Sequence, residues 1–206
     1  MEDVLKVYAR GYDPARPVVC VDESSKQLVG EVRPPIPMSP GQTLRMDDEY
    51  ERKGVAEIFM AVEPLAGRRW VEVAGTRTRK DWARFIRSLL DGPYAECEKL
   101  VLVMDNLNTH GTASLYGSFP PEEASRIADR IEIHYTPKHG SWLNIAEIEL
   151  SVYKRQCIGG RIPSIEQMQA MTAAWNADRN SRQTKVDWQF RTADARLKLK
   201  RLYPKC

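Results

Sequence analysis

Several features that assign proteins to a class are missing from this sequence of 206 residues. No apolar run approaches the roughly 20 residues that cross a bilayer, and the opening stretch MEDVLKVYARGYDP lacks the apolar core of a secretion signal. The four cysteines are scattered without a CxxC pair, which argues against a zinc site or a secreted disulfide framework. These absences predict a cytoplasmic protein with no membrane partner.

Motifs for other ligands are missing too. Neither GxGxxG nor GxxxxGK[ST] occurs, which argues against an unrelated nucleotide-binding α/β protein. The histidines make no zinc pattern, since His134 and His139 flank a proline and have no cysteine pair nearby. The function must therefore be inferred from charge, from strand and helix patterns, and from the acidic residues.

Charge is unevenly distributed along the chain. Residues 179–206 hold nine basic and two acidic side chains, a net charge of +7. The first 178 residues hold 22 basic and 26 acidic side chains, a net charge of −4. A basic tail on a mildly acidic body indicates a polyanionic partner, although a solvated surface helix explains it equally well.

The apolar pattern predicts strands first and then alternating helices and strands. After Pro17, VVCVDE forms a buried strand that ends at Asp22, and KQLVGEV is a candidate partner for it. Residues 33–54 contain four prolines and are predicted to be a long loop. The other predicted strands are GVAEIFMAVEP, RRWVEVAG, KLVLVMD and IEIHYTP, the first two joined by a turn at LAG.

Helices are predicted from capping residues and apolar faces. Thr78 and Asp81 make a capping box in front of one continuous apolar face, and Gly92 ends that helix. The other predicted helices begin at Pro120, Ser141, Ser164 and Asp194. Strands joined by crossover helices imply an α/β fold with a mixed sheet and helices on both faces.

Two acids follow apolar strands in matching contexts. Asp22 and Asp105 each end such a run, and in open α/β sheets ligands gather at the carboxyl ends of the strands. A single Asp at a strand end is more often a turn former. Two of them shift the interpretation toward a site.

A third acid is chosen by helical geometry. At about 100° per residue, one polar stripe of the helix SWLNIAEIELSVYKRQ contains Asn144, Glu147, Ser151, Lys154 and Arg155. Glu149 falls on the apolar side of the same helix. A solvated helix face would by itself explain Glu147, so its assignment depends on the other two acids.

Three carboxylates in one cleft repel one another unless cations hold them together. Hard oxygen ligands suit Mg²⁺ or Mn²⁺. Two such ions about 3.5–4 Å apart stabilise the attacking and the leaving oxygen of a phosphoryl displacement. Asp22, Asp105 and Glu147 are therefore predicted to be catalytic and to bind two metal ions.

Three blocks, VVCVDE, VLVMDNLNTH and HGSWLNIAEIE, resemble in order the catalytic blocks of the DDE transposases of bacterial insertion sequences, in the mariner-related branch. The third block is similar to a Leu-Asn-x-x-Glu signature, which aligns Glu147 with the catalytic acid. The resemblance implies a ribonuclease H-like fold. It also implies an enzyme that cleaves DNA at the ends of an element and joins the freed strand to target DNA at TA.

The resemblance further implies supporting residues and partners. Asn106, His110 and Asn144 would support the metal ligands. A structural role in the turn explains Asn106 and His110 equally well. Phosphates of double-stranded DNA would be contacted by Lys154, Arg155, Arg196, Lys198, Lys200 and Arg201. Because members of the family act as dimers or larger assemblies, a homodimer is expected.

The sequence departs from the family in two places. Only 16 residues precede the first strand, too few for the helix-turn-helix modules that read element ends, so such a module is expected on a separate chain. Asp105 and Glu147 are 42 positions apart, which is long for the family. We expect a linker remnant at 1–16, a ribonuclease H-like catalytic domain at 17–178 and a basic extension at 179–206, in a nucleoid-associated bacterial protein.

Two alternatives remain open. The first alternative to a transposase is a truncated, non-catalytic DNA-binding remnant. The second is a nuclease of ribonuclease H type that hydrolyses strands without joining them. Joined products from labelled element ends would distinguish the transposase from the nuclease.

Overall fold

A computed structural model describes residues 1–107, 110–138 and 140–203, and all structural statements below concern these residues. His139 and Cys206, used above in the zinc and disulfide arguments, lie outside them, as do Asn108 and Thr109 of the second block. The described residues form one five-stranded sheet, in the order β3-β2-β1-β4-β5. The strands are β1 (Val18–Glu31), β2 (Tyr50–Glu63), β3 (Arg68–Ala74), β4 (Leu100–Met104) and β5 (Ile131–Tyr135).

The sheet is mixed, as predicted. β2 pairs antiparallel with both β1 and β3, whereas β4 pairs in parallel with both β1 and β5. Side chains alternate between the two faces of a strand, and β4 shows both halves of that pattern. Val101 and Val103 join one apolar cluster, and Leu100, Leu102 and Met104 join the other. A strand covered on both faces is uniformly apolar, which explains the sequence LVLVM.

Helices cover both faces of the sheet, which confirms the predicted layering. One face carries α2 (Arg79–Asp91), α3 (Thr112–Tyr116) and α4 (Pro121–Asp129). The other face carries α1 (Glu2–Tyr8), α5 (Ile145–Gln156), α6 (Ile165–Ser181) and α7 (Thr192–Lys198). Two 3₁₀ turns, Ser141–Leu143 and Lys200–Leu202, precede α5 and follow α7.

The capping box of α2 forms as predicted. The Asp81 backbone N–H donates to Thr78 Oγ1 at 3.3 Å, and Asp81 Oδ2 accepts from the Thr78 N–H at 2.9 Å. The helix ends before Gly92. Its apolar face is buried against the sheet through Trp82, Phe85, Ile86, Leu89 and Leu90.

Several predicted boundaries were wrong. VVCVDE and KQLVGEV are one continuous strand, β1, so Asp22 lies within a strand and KQLVGEV pairs with β2. The predicted loop 33–54 ends earlier, because Tyr50–Gly54 already belong to β2. The helix predicted from Ser141 begins at Ile145, after the 3₁₀ turn, and the tail helix begins at Thr192.

The two ends of the chain pack into the same core as the sheet. Residues 1–16, expected to be a linker, include α1, whose Val4, Leu5 and Val7 are fully buried. Ala195 of α7 is buried in the same cluster, and Arg196 forms two 2.8 Å contacts with Glu2 of α1. Both end segments therefore contribute to the core, and the division at 1–16, 17–178 and 179–206 stays a prediction. Among the described helices, none combines the length and the apolarity that a bilayer crossing requires.

Candidate active site

The three predicted acids lie on three different elements that meet at one end of the sheet. β1 and β4 pair in parallel from Val18 with Val101 to Cys20 with Val103. Continuing that register by two residues brings Asp22 level with Asp105, which directly follows β4. The parallel direction of the two strands thus brings together acids that are remote in sequence.

The third acid is positioned by the start of α5. Asn144 is buried and caps the helix, because its Oδ1 accepts from the Ala146 N–H at 3.2 Å. Its Nδ2 donates to the carbonyl of Val21, the residue before Asp22, at 2.9 Å. This side chain therefore ties the first turn of α5, which carries Glu147, to the segment of β1 that carries Asp22.

Asp22, Asp105 and Glu147 line one cleft of about 280 Å³, together with Asn144 and Lys154. Burial, with smaller contributions from the negative charges of Asp105, Glu147 and Glu23, raises the pKa of Asp22 to about 6. Like charges within reach of one another disfavour ionisation unless a cation compensates them. The raised pKa thus reflects burial first and the neighbouring carboxylates of the cleft second.

The donor set of the cleft fits a hard divalent cation, since its acidic ligands are all carboxylate oxygens. As arranged, however, no group of three His, Cys, Asp or Glu side chains among the described residues could hold a metal ion. Two contacts contribute to this arrangement. Asp22 Oδ1 accepts from the Glu23 N–H at 2.8 Å, and Asp105 Oδ1 is 2.6 Å from His110 Nδ1. A bound cation therefore requires these carboxylates to turn toward one another.

His110 lies between two acids. Its Nδ1 contacts Asp105, and its Nε2 lies 2.9 Å from Glu23 Oε1. Burial alone would lower the pKa of His110, but the hydrogen bonds with Asp105 and Glu23 raise it to about 9. Its ring also stacks on Trp82, with 5.7 Å between the centroids. Asn106, the other predicted supporting residue of this block, is exposed next to Asp105.

Glu23 was missed by sequence reasoning. Its side chain is only 4% exposed and lines the cleft beside Asp22. Two adjacent acids on a strand normally point to opposite faces, so the sequence favoured only one of them. The available signal was its position next to Asp22 at the end of an apolar run.

The helical wheel placed Glu147 and Glu149 on different sides of α5, and the structure does the same. Glu149 is 4% exposed and lies outside the cleft lining. Its Oε1 accepts from Arg69 Nε and from Arg179 Nε, each at 2.8 Å. These hydrogen bonds and positive charges outweigh burial and hold the pKa of Glu149 below its usual value.

The predicted DNA-contacting residues fall into two groups. Lys154 lines the cleft, and Arg155 is exposed next to it on α5. Arg196 pairs with Glu2, and Lys198 Nζ lies 5.8 Å from the centroid of Phe190. Within the described cleft lining, none of the four C-terminal cations Arg196, Lys198, Lys200 and Arg201 is present.

Comparison with known proteins gives one family match. The model of the family described as DDE superfamily endonuclease matches residues 17–169. No curated protein matches the sequence.

Solved structures of the Mos1 mariner transposase share the fold. The paired-end complex with Mn has 16% identity and a TM-score of 0.56. The strand transfer complex has 14% identity and a TM-score of 0.58. The paired-end complex with the left transposon end has 15% identity and a TM-score of 0.57. Each match covers 88% of this chain but only 54–55% of the Mos1 chain. This likeness confirms the ribonuclease H-like fold.

Proposed function

Because this chain belongs to the DDE superfamily endonucleases, we propose that it is a transposase catalytic domain. It cleaves DNA at the ends of an insertion sequence and joins the freed strand to target DNA. Asp22, Asp105 and Glu147 are its catalytic acids. The observation that carries this proposal is that these three side chains, from β1, the end of β4 and α5, line one cleft.

The proposed cofactor is a divalent metal, as two ions of Mg²⁺ or Mn²⁺. Asp22 and Asp105 hold the ions, and Glu147 completes the second site. When bound, such ions supply positive charge at the attacking and leaving oxygens of an in-line phosphoryl displacement. The carbonyl–amide contact between Val21 and Asn144 keeps Glu147 close to Asp22 while the other carboxylates turn. Asn106 is exposed beside Asp105 and stays a predicted supporting residue.

Double-stranded DNA is the proposed substrate and target. Lys154 lines the cleft and offers an ammonium to the phosphate next to the scissile bond. Arg155, Lys198, Lys200 and Arg201 are exposed and add affinity that falls with salt. Arg196 contributes only if a phosphate replaces Glu2 as its partner.

Strand joining is the decisive test of this function. Purified protein, alone and together with a helix-turn-helix protein encoded beside its gene, is incubated with Mn²⁺, a plasmid target and labelled duplexes from the termini that flank its gene. We expect labelled DNA to become joined to the plasmid at TA, because a freed 3′-hydroxyl can be held in the cleft as a nucleophile. Joined products are read on a denaturing gel.

An Asp105→Asn variant serves as the control. Cleaved but unjoined DNA would instead support a nuclease of ribonuclease H type. Equal, background-level products from the wild type and the variant would support a non-catalytic DNA-binding remnant.

We also propose that the protein acts as a homodimer through the arm formed by the distal ends of β1 and β2 and the loop 32–49. This arm exposes large apolar side chains, which commonly mark interaction surfaces. They are Val32, Ile36, Met38, Leu44, Met46 and Tyr50, each 48% exposed or more.

A charge placed in the arm tests the dimer. Met38, at 75% exposure, is replaced by Glu, and we expect the mass by light scattering to fall from twice 23.6 kDa to 23.6 kDa. Leu197→Glu is the matched control, since Leu197 is 81% exposed on α7. If the protein part of the measured wild-type mass is 23.6 kDa both without DNA and in the complex with DNA, the proposal is contradicted.

One further partner and a location belong to the same proposal. A helix-turn-helix module is proposed to recognise the element ends. This sequence spans 54–55% of the Mos1 chains that it matches. The protein works at the bacterial nucleoid in the cytoplasm.

A further inference from the structure

A buried acid that is not one of the three proposed ligands is linked to Asp105 through a histidine. We propose that Glu23 is a positioning residue: acting through His110, it fixes the orientation of the Asp105 carboxylate for metal binding. The inference rests on the proposed function, because it assumes that Asp105 is a metal ligand. Below, Glu23, His110 and Asp105 together are called the clamp.

The clamp has short contacts at both ends. His110 Nδ1 is 2.6 Å from Asp105 Oδ1, and His110 Nε2 is 2.9 Å from Glu23 Oε1. The side chains of His110 and Glu23 are 2% and 4% exposed, whereas that of Asp105 is 37% exposed. The buried pair is thus shielded from water, and the exposed acid is the end that a cation can reach.

Packing holds the histidine from several directions. Trp82 of α2 stacks on its ring at 24° between the planes. Its backbone N–H donates to the carbonyl of Leu107 at 2.9 Å, and its own carbonyl accepts from the Tyr135 hydroxyl at 2.9 Å. The ring is therefore fixed by the sheet and by α2, independently of Asp105.

Glu23 is held in turn. It belongs to β1, opposite Phe59 of β2, so its backbone is part of the sheet. Its Oε2 lies 3.7 Å from Arg77 Nε, while its Oε1 faces His110. The chain of contacts thus runs from a rigid strand to the carboxylate of Asp105, which follows β4 and has left the sheet.

This arrangement matters for metal binding because ligating carboxylates need fixed orientations. The clamp engages Oδ1 of Asp105 and does not use its other carboxylate oxygen. Groups that orient a ligand in this way typically change metal affinity or activity by about 10–100-fold when they are removed.

The test compares two acids that share a partner. Glu57 lies on β2 and its Oε2 is also 3.7 Å from Arg77 Nε, but its side-chain hydrogen bond is with Ser25 and it is absent from the cleft lining. Binding of Mn²⁺ alone to the whole protein, without DNA, is measured by titration calorimetry for the wild type, Glu23→Ala and Glu57→Ala. Melting temperatures are recorded by circular dichroism for the same proteins.

We expect Glu23→Ala to weaken Mn²⁺ binding about 10–100-fold and Glu57→Ala to leave it within about twofold. Glu23→Gln, which keeps an acceptor for His110, should restore most of the affinity. If Glu23→Ala does not fold, Glu23→Met, which keeps the length of the side chain without an acceptor for His110, takes its place and should weaken Mn²⁺ binding to the same extent. Mn²⁺ affinity unchanged in Glu23→Ala, or weakened equally in Glu57→Ala, would overturn the clamp alone. If Asp105→Asn binds Mn²⁺ as tightly as the wild type does, the proposed metal site is overturned and the clamp with it.

Discussion

Replacing Glu147 with Gln is expected to slow metal-dependent DNA cleavage about a thousandfold, as for a loss of roughly 4 kcal/mol of transition-state stabilisation. The amide keeps the shape of the side chain but loses the charge that completes the proposed second metal site. Stability should change by less than about 0.5 kcal/mol, since the residue lies at a solvent-facing cleft. Single-turnover cleavage and thermal melting of the same preparations measure both effects.

Glu166→Gln is the matched control for Glu147→Gln. Glu166 occupies the first turn of α6, as Glu147 does in α5, and it is exposed. The control should alter neither cleavage nor melting. Cleavage by Glu147→Gln at the wild-type rate would remove Glu147 from the catalytic set.

Replacing Glu149 with Gln, two positions further along α5, is expected to lower the free energy of unfolding strongly, which Glu147→Gln should leave almost unchanged. The variant leaves the guanidinium of Arg69, which is fully buried, without its counter-charge. Breaking a buried ion pair by removing one partner typically costs about 3–5 kcal/mol. Urea denaturation at pH 7 should show a loss of unfolding free energy of this size.

The pH dependence of that loss has a defined sign. The pKa of Glu149 lies below its usual value of 4.5 in the folded protein, so its charged form stabilises the fold. That contribution is fully present above pH 4.5 and disappears as the pH falls through the lower, folded-state pKa. The stability difference between the wild type and Glu149→Gln should therefore shrink below pH 4.5. If Glu149→Gln and Glu147→Gln lose the same unfolding free energy relative to the wild type at pH 7, the assignment of a buried ion pair is contradicted.

The sequence predicted the family, the layering and the position of the proposed acids because each has a local signal. β4 is apolar throughout, α2 carries both halves of a capping box, and polar and apolar residues of α5 fall on different sides of a helical wheel. Parallel pairing of β1 and β4 then follows from chain topology. The family match over residues 17–169 confirms the resemblance read from the three blocks.

The features that were missed depend on contacts between distant residues. β1 was divided in two because its polar middle, Glu23 to Lys26, interrupts the apolar run, although pairing with β2 continues through it. α1 has only two turns and therefore too little periodicity to be recognised. The contact between His110 and Glu23 joins positions 87 apart, and no local pattern encodes it.

The packing of α1 against α7 has a consequence for synthesis of the protein. Tyr8 of α1 contacts Trp188, which precedes α7, with the two rings tilted and their centroids 5.3 Å apart. Its hydroxyl donates to the carbonyl of Leu143 at 2.7 Å, just ahead of α5. Contacts this far apart in sequence form slowly. In a nascent chain on the ribosome, the part of this apolar face of the sheet that packs against residues 188–195 therefore stays uncovered until those residues have emerged, and that interval is when chaperones would be needed most.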